Sequence, residues 1–376
     1  MRFAFVHTAD WQIGKRFGAF PAERAAVLRE ERLRAVDRVA EAARAGGAAT
    51  VLVAGDVFDS ETVSDAVIGT LLARLKAHPK LSWHLLPGNH DPARAGGVWE
   101  AIVGAGLPAN VTVHTEPRAA EIAAGVVLLP APLAAKSTSR DPTQWMDEAA
   151  TPAGALRLGL AHGSVQGFGS GGEANVPIDP ARITSAQLSY LALGDWHGTT
   201  RISERAWYSG TPEPDGFRDN EPGNALLVTI EGARAAPKVE RVTTAHFTWA
   251  RRQQTVDSAK GLEVLEAELA SLGSAASRWL IDLGLDGHVT LSQRAAIEAR
   301  LSQLATEVFH LAADLGDLHV AAAASDLEAL GSGVLGTVAE RLKAAAESGG
   351  AEAEIAERAL RKLFALARRA QAGGAA

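Results

Sequence analysis

A series of short apolar segments, each followed by a polar motif, limits this chain to a small set of folds. Residues 2–6 (RFAFV) lead to Asp10, and residues 50–55 (TVLVAG) lead to Asp56. Short apolar runs bounded by Gly and polar residues are typical of buried strands, and helical patterns lie between several of them. We therefore predict an α/β fold in which β-sheets are flanked by helices. Further strands of this kind are predicted at 81–86, 126–129, 155–161 and 191–194.

The pattern changes twice further along the chain, which predicts three parts. Residues 1–245 contain the α/β layers and close with short strands joined by Gly and Pro turns. Residues 246–322 alternate helix and strand and predict a small α+β domain. Residues 323–376 are rich in Ala and predict a helical tail in two pieces.

The composition excludes several classes of protein. The chain contains no Cys, which excludes disulfides, thiolate catalysis and cysteine-ligated metals. Its formal net charge of −7 does not suit a long footprint on nucleic acid, although it leaves room for a local basic path. No apolar stretch approaches the roughly 18 residues of a membrane span, and no signal segment precedes the first strand. We therefore expect a soluble, cytoplasmic protein with no membrane partner.

The polar residues that follow the strands predict a metal site. Ligands of open α/β sheets bind beyond the carboxyl ends of the strands, so we expect these side chains to meet there. Oxygen and imidazole donors without sulfur suit Mn²⁺, Fe²⁺, Mg²⁺ or Zn²⁺. Their number favours two ions that share a carboxylate, an arrangement that supports phosphoryl transfer. The candidates are Asp10, Gln12, Asp56, Asn89, His162, Asp195 and His197, with His90 and Asp91 beside Asn89.

These motifs resemble those of a known family. In order along the chain, HTADWQIG, GDVFD, PGNHD, AHG and LALGDWHG resemble the signatures of the calcineurin-like metallophosphoesterases, and more closely of their SbcD-type DNA-repair exonucleases. The resemblance covers residues 1–245 and extends more weakly over 246–322, which looks like the small capping domain of those nucleases. It implies a layered metallophosphoesterase sandwich that hydrolyses phosphodiesters with two divalent metal ions, Mn²⁺ by preference and Mg²⁺ as the alternative.

The resemblance also implies roles for single residues. His90 would protonate the leaving oxygen or stabilise the phosphate, and Asp91 would orient His90. The first ion would be held by Asp10, Gln12, Asp56 and His197. The second ion would share Asp56 and be completed by Asn89, His162 and Asp195.

Two positions depart from the family pattern. The family usually has His where Gln12 stands, and it has Gly-His-x-His where residues 194–197 are Gly-Asp-Trp-His. One histidine is lost from each metal site. Gln12 would be a weak oxygen ligand or would only hold a metal-bound water, and Asp195 would offer an anionic oxygen. The site becomes richer in oxygen, which favours Mn²⁺ or Mg²⁺ over ions that prefer nitrogen. Loss of activity is the alternative.

Other residues bear on substrate and partners. Lys15, Arg16 and Arg218 are candidates for contacts with a phosphate backbone, with solvated charges as the alternative. Trp11 and Trp196 are expected to pack around the site, with base stacking as the alternative. The family docks C-terminal helices on an SMC-like ATPase of the SbcC or Rad50 type and often dimerises. The resemblance therefore implies DNA, such an ATPase and a homodimer as partners.

Three functions stay open. The first is a metal-dependent DNA exonuclease or endonuclease that works with the ATPase in DNA repair. The second is a phosphodiesterase that acts on small diesters. The third is a non-catalytic scaffold, in which the altered ligands mark a decayed site that binds DNA or the ATPase.

Overall fold

The protein divides into two compact units, Met1–His246 and Phe247–Ala376. The computed structural model describes residues 2–168, 175–328, 330 and 333–373. Each unit has hydrophobic cores of its own. The finer division of the second unit into a capping domain at 246–322 and a tail at 323–376 stays a prediction.

The first unit contains fourteen strands and four α-helices among its described residues. The strands are β1 (Phe3–Thr8), β2 (Thr50–Val53), β3 (Ser82–Leu85), β4 (Val111–Val113), β5 (Ala120–Ala123), β6 (Val126–Ala131), β7 (Leu156–His162), β8 (Ser164–Val165), β9 (Pro177–Ile178), β10 (Tyr190–Gly194), β11 (Thr200–Arg201), β12 (Ala206–Tyr208), β13 (Asn224–Ile230) and β14 (Lys238–Thr243). The helices are α1 (Ala22–Ala45), α2 (Asp65–Lys76), α3 (Val98–Ala105) and α4 (Arg182–Ser185).

Two six-stranded sheets form the frame of this unit, in the orders β14-β13-β1-β2-β3-β4 and β11-β12-β10-β7-β6-β5. The strands β1, β2, β3 and β4 are parallel in the first sheet. The strands β6, β7, β10 and β12 are parallel in the second. Parallel strands end at one edge of their sheet, so the loops after β1, β2, β3, β7 and β10 can supply one site.

Burial on both faces explains the continuous apolar sequences of the central strands. All four residues of β2 and all six of β6 are buried. The inner faces of the two sheets share a core that includes Phe5, Leu52 and Leu158. The outer face of the first sheet packs against the helices through residues such as Val51 and Leu71. Burying an aliphatic or aromatic side chain of this size stabilises the fold by roughly 1.5–3 kcal/mol.

His7 connects the two sheets at the end of β1 that leads into the site. Its Nε2–H donates to the carbonyl of Leu193 at 3.1 Å, and its Nδ1 accepts from the hydroxyl of Tyr190 at 3.1 Å. Burial lowers the pKa of His7 to about 3, so the ring is neutral near pH 7. A neutral ring can donate and accept at once, as these two bonds require.

The second unit is built around one long strand. Its strands are β15 (Thr248–Thr255), β16 (Trp279–Thr290), β17 (His310–Asp314) and β18 (Leu318–Ala321), and its helices are α5 (Glu263–Leu272), α6 (Leu291–Glu307), α7 (Ala324–Glu328), α8 (Val334–Glu347) and α9 (Ala351–Gly373). The central strand β16 pairs in parallel with β15, β17 and β18. Thr290 and Gln293 form a capping box that starts α6. Leu291, Leu360 and Phe364 join α6 and α9 in one apolar core.

The architecture confirms the predicted fold class. The first unit has the predicted layers of sheets and helices, and the second combines a mixed α+β part with C-terminal helices. Within the described ranges, each helix is either too short or too polar to span a bilayer.

Candidate metal centre

The loops that follow β1 and β2 are bonded side by side. The amide of Asp10 donates to the carbonyl of Gly55 at 3.1 Å, and the amide of Gln12 donates to the carbonyl of Asp56 at 3.0 Å. Asp10, Gln12, Asp56 and Asp195 have positive φ angles of 55°, 51°, 53° and 102°. This backbone region is uncommon for residues other than Gly, and such strain is typical of functional sites that the surrounding bonds hold in place.

Three glycines let the strand ends approach one another closely. A Cβ on Gly55 would collide with the ring of His162, and one on Gly194 would collide with the carbonyl of Ala54. A Cβ on Gly88 would collide with the backbone amide and carboxylate of Asp56. No side chain larger than a hydrogen atom therefore fits at Gly55, Gly88 or Gly194 without a shift of these neighbours.

Asp10, Asp56 and His162 form the centre of the site. Their candidate ligand atoms all lie within 4.8 Å of one another, and all three residues are buried. The Nδ1–H of His162 donates to the carbonyl of Ala54 at 2.8 Å. This bond fixes the tautomer and turns Nε2 toward the other candidates. Nε2 lies 3.4 Å from Oδ1 of Asp56 and 3.1 Å from Oδ1 of Asn89.

The electrostatics of this cluster fit a cation. Burial raises the pKa of Asp10 to about 6, although the charges of His197 and His162 oppose the rise. Burial alone would lower the pKa of His162, but the carboxylates of Asp56, Asp10 and Asp195 outweigh it and raise that pKa to about 9. Carboxylates and imidazoles thus face one another at close range in this cluster. A divalent ion would add positive charge between the carboxylates, and oxygen with imidazole is a suitable donor set.

Asp195 joins this cluster from the end of β10. Its amide donates to Oδ1 of Asp10 at 3.1 Å, and its Oδ1 lies 3.9 Å from Nε2 of His162. Its Oδ2 accepts from the hydroxyl of Ser164 at 2.7 Å. The structure therefore brings the predicted residues Asp10, Asp56, Asn89, His162 and Asp195 together.

Gln12 contacts Asp56 directly. Its Nε2 donates to Oδ2 of Asp56 at 2.8 Å, so the amide nitrogen, rather than the oxygen, faces this carboxylate. The side chain is buried and supports Asp56 as a hydrogen-bond donor. In this arrangement Gln12 holds a candidate ligand in place.

The PGNHD motif contacts Asp56 mainly through its backbone. The amide of His90 donates to Oδ1 of Asp56 at 2.9 Å. The ring of His90 is half-exposed, with Nε2 3.9 Å from Oδ2 of Asp56. Its Nδ1–H donates to the carbonyl of Asp59 at 3.0 Å. The ring is therefore oriented by Asp59 and not by Asp91, which corrects the role expected of Asp91.

Asp91 instead fixes the loop that carries Asn89 and His90. Its two carboxylate oxygens accept from the amide of Gly88 at 2.7 Å and from the amide of Phe58 at 3.0 Å. Burial, together with the nearby charge of Asp56, raises the pKa of Asp91 well above its usual range. Asp91 joins the loop after β3 to the loop after β2.

The three candidate phosphate contacts differ in their surroundings. The Nζ of Lys15 lies 2.6 Å from Oδ2 of Asp215 and 3.9 Å from Oδ1 of Asp59. Its charge is thus paired within the protein. Arg16 and Arg218 have exposed side chains.

Two supporting residues were not predicted from the sequence. Asp215 is buried and accepts from Nδ1–H of the predicted ligand His197 at 3.1 Å. Arg32 is a buried guanidinium on α1 that donates to the carbonyls of Trp11 at 2.9 Å and Asp10 at 3.2 Å. Asp215 lies within residues 208–228, which resemble the end of the catalytic domain of the SbcD-type nucleases, and this resemblance was the only sequence feature that pointed to it. No sequence feature pointed to Arg32, because a charged residue within an amphipathic helix usually faces solvent.

We predict that Gly88→Ala weakens divalent-metal binding by about 10-fold or more, because the new methyl group displaces Asp56. Isothermal titration with Mn²⁺ measures the affinity, and circular dichroism verifies the fold. Gly18→Ala is the matched control, since a Cβ there meets nothing within 4 Å. Equal affinities for the two variants would contradict the close packing described above.

Comparison with known proteins agrees with the motifs. A family model described as calcineurin-like phosphoesterase matches residues 3–145. A curated protein of Rhodobacter capsulatus, the SbcD component of the nuclease SbcCD, is 30% identical over 258 residues, which cover 56% of this chain and 62% of the relative. The crystal structure of TT1561 of Thermus thermophilus matches with a TM-score of 0.41 and 13% identity, over 65% of this chain and all of the other. That structural likeness is too low to support any argument.

Proposed function

We propose that this chain is a calcineurin-like metallophosphoesterase of the SbcD type that hydrolyses phosphodiester bonds in DNA. The family match confirms the resemblance predicted from the motifs. The buried cluster of Asp10, Asp56 and His162 carries the proposal, because its donor atoms lie close enough together to hold a cation at the edge where the parallel strands end. The name of the relative, of whose length the chain spans 62%, supports a nuclease activity, and we take DNA as its proposed substrate.

We propose that the site would hold two divalent ions and that Asp56 would be a ligand for both. The donors are mostly oxygen, and such a set favours Mn²⁺, with Mg²⁺ as the alternative. When bound, a pair of ions neutralises charge on the phosphate and activates a water molecule. The proposed donors are Asp10, Asp56 and His197 for one ion, with Gln12 in support of Asp56, and Asp56, Asn89, His162 and Asp195 for the other.

His90 is proposed as the general acid. Its Nδ1–H is committed to the carbonyl of Asp59, so Nε2 is the atom that can exchange a proton. The half-exposed ring lies beside Asp56, where it can reach a phosphodiester held at the site. From there Nε2–H of the protonated ring would donate to the leaving oxygen.

We predict that purified protein cleaves DNA with Mn²⁺ and that Asp56→Ala lowers the rate by at least about 10²-fold, because the shared ligand is lost. A chelator abolishes the activity, and added Mn²⁺ restores it. Glu41→Ala, on the exposed side of α1, is the control and keeps full activity. Elemental analysis of both variants tests metal content independently.

The rival functions give different results in that assay. A phosphodiesterase for small diesters turns over bis-p-nitrophenyl phosphate much faster than DNA. A scaffold with a decayed site shows no turnover that depends on Asp56, whichever divalent ion is added. Either result would refute the DNA nuclease proposal.

Trp196 supports a substrate that carries bases. The expectation of packing holds for Trp11, which is buried and donates from Nε1 to the hydroxyl of Thr8 at 3.0 Å. Trp196, between Asp195 and His197, is instead 37% exposed. Phe168 supports it edge-on at a centroid distance of 5.4 Å. An exposed, braced indole beside a phosphodiester site is suited to stack on a nucleobase.

We predict that Trp196→Ala raises KM for a single-stranded oligonucleotide about 10-fold, since stacking on one base contributes roughly 1–3 kcal/mol. Trp196→Phe keeps most of the affinity. The matched substrate is the same oligonucleotide with abasic sites at its scissile end, for which Trp196→Ala changes nothing. Similar increases in KM for both substrates would exclude stacking.

The C-terminal helices are proposed to dock on an ATPase. Helices α8 and α9 carry exposed apolar side chains that are not part of the core these helices share. They include Val334, Val338 and Ile355. The proposed partner is an SMC-family ATPase of the SbcC or Rad50 type, which places the chain in DNA repair. A homodimer and a cytoplasmic location stay predictions.

We predict that Val334→Glu combined with Val338→Glu lowers co-purification of an SbcC-like ATPase at least about 10-fold, because two charges enter an apolar contact. Arg341→Glu, an exposed change on the same helix, is the control. Equal recovery of the ATPase with all three proteins would refute this docking site.

A further inference from the structure

Asp215 connects a lysine to a candidate metal ligand. Its Oδ2 accepts from the Nζ of Lys15 at 2.6 Å, and its Oδ1 accepts from Nδ1–H of His197 at 3.1 Å. The side chain of Asp215 is 2% exposed, and that of His197 is 9% exposed. The two oxygens of one buried carboxylate thus serve one partner each.

The contacts of Asp215 make both of its oxygens acceptors. Lys15 can only donate, and the carboxylate that pairs with it accepts from Nδ1–H of His197. This acceptor fixes the His197 tautomer with the proton on Nδ1. The lone pair of Nε2 is then available to a metal ion, and the carboxylate makes the imidazole a stronger donor.

The two candidate metal histidines therefore have different orienting groups. The Nδ1–H of His162 donates to a neutral backbone carbonyl, that of Ala54. The Nδ1–H of His197 donates to a carboxylate. Of the two, His197 is a proposed ligand of the first ion. At that ion, Gln12 stands where the family usually has a second histidine. The stronger orienting group is thus found beside the ion at which a neutral amide, Gln12, stands in place of the lost imidazole, whereas the carboxylate of Asp195 stands in its place at the other ion.

We propose that Asp215 is a positioning residue that compensates for Gln12 by holding and strengthening His197 as a metal ligand, with Lys15 as its anchor. This inference rests on the proposed metal site. It also assigns Lys15 a role within the protein in place of a direct contact with a DNA phosphate. The pair connects the loop after β1, which carries Lys15, to residues 212–217 (PEPDGF), which include Asp215.

Asp215→Asn tests the proposal, because it keeps the shape of the side chain and removes the charge. We expect the affinity for one of two Mn²⁺ ions to fall about 10–100-fold, as is typical when a group that orients a metal ligand is lost. Isothermal titration and electron paramagnetic resonance of Mn²⁺ measure affinity and stoichiometry without using activity. Excess Mn²⁺ restores most of the kcat of Asp215→Asn.

Glu213→Gln is the matched control. Glu213 is also buried and lies two residues from Asp215 in the sequence. It pairs with Arg38 at 2.8 Å and is not one of the proposed metal ligands. We expect its Mn²⁺ affinity to equal that of the wild type. A folding defect in Asp215→Asn would appear in its thermal unfolding, in which case Lys15→Gln provides the second variant.

Lys15→Gln separates anchoring from substrate contact. As the anchor of Asp215, Lys15 affects Mn²⁺ affinity and leaves KM for DNA within about twofold at saturating metal. A phosphate contact would instead raise KM and reduce the salt dependence of DNA binding. That result, or wild-type Mn²⁺ affinity in Asp215→Asn, would overturn the inference. A wild-type protein that binds no divalent ion would refute the proposed function itself.

Discussion

The structure depends on burying negative charge where two sheets end. Asp10 and Asp56 lie at the carboxyl ends of neighbouring parallel strands, and Asp195 approaches from the facing sheet. Bringing carboxylates together away from water is unfavourable without compensating partners. Backbone amides, the Gln12 amide and His162 are the partners that the protein supplies, while burial raises the pKa of Asp10. A divalent cation is a further partner that suits this set of oxygen and imidazole donors.

The surrounding fold holds these carboxylates in place. Left-handed backbone angles at Asp10 and Asp56 are strained for residues with a Cβ, and they persist because paired loops and close-packed glycines fix them. Arg32 stabilises the same loop by donating to the carbonyl of Asp10. His7 adds a cross-link between the sheets just before the chain enters the site. The candidate ligands are therefore preorganised by hydrogen bonds within the protein.

The sequence predicted those features of the site that depend on local patterns along the chain. Asp10, Asp56 and His162 follow apolar runs, and parallel strands bring such positions together whatever the details of packing. The partners of buried groups depend on tertiary contacts, so the sequence did not reveal Asp215 beside His197 or the two amides bonded to Asp91. Gln12 is an intermediate case. Its place at the site was predictable, but a side-chain amide can present a donor or an acceptor, and only its neighbours decide which.

The departure at Gln12 is accompanied by hydrogen bonds that support neighbouring candidate ligands. Buried carboxylates need such partners, because an uncompensated carboxylate is destabilising. Here Gln12 donates to Asp56, while Asp215 accepts from Lys15 and His197. Gln12 and Asp215 thus contact two proposed ligands, Asp56 and His197, of the ion at which Gln12 stands in place of a histidine. This arrangement supports the proposal that the site binds metal with a different donor set.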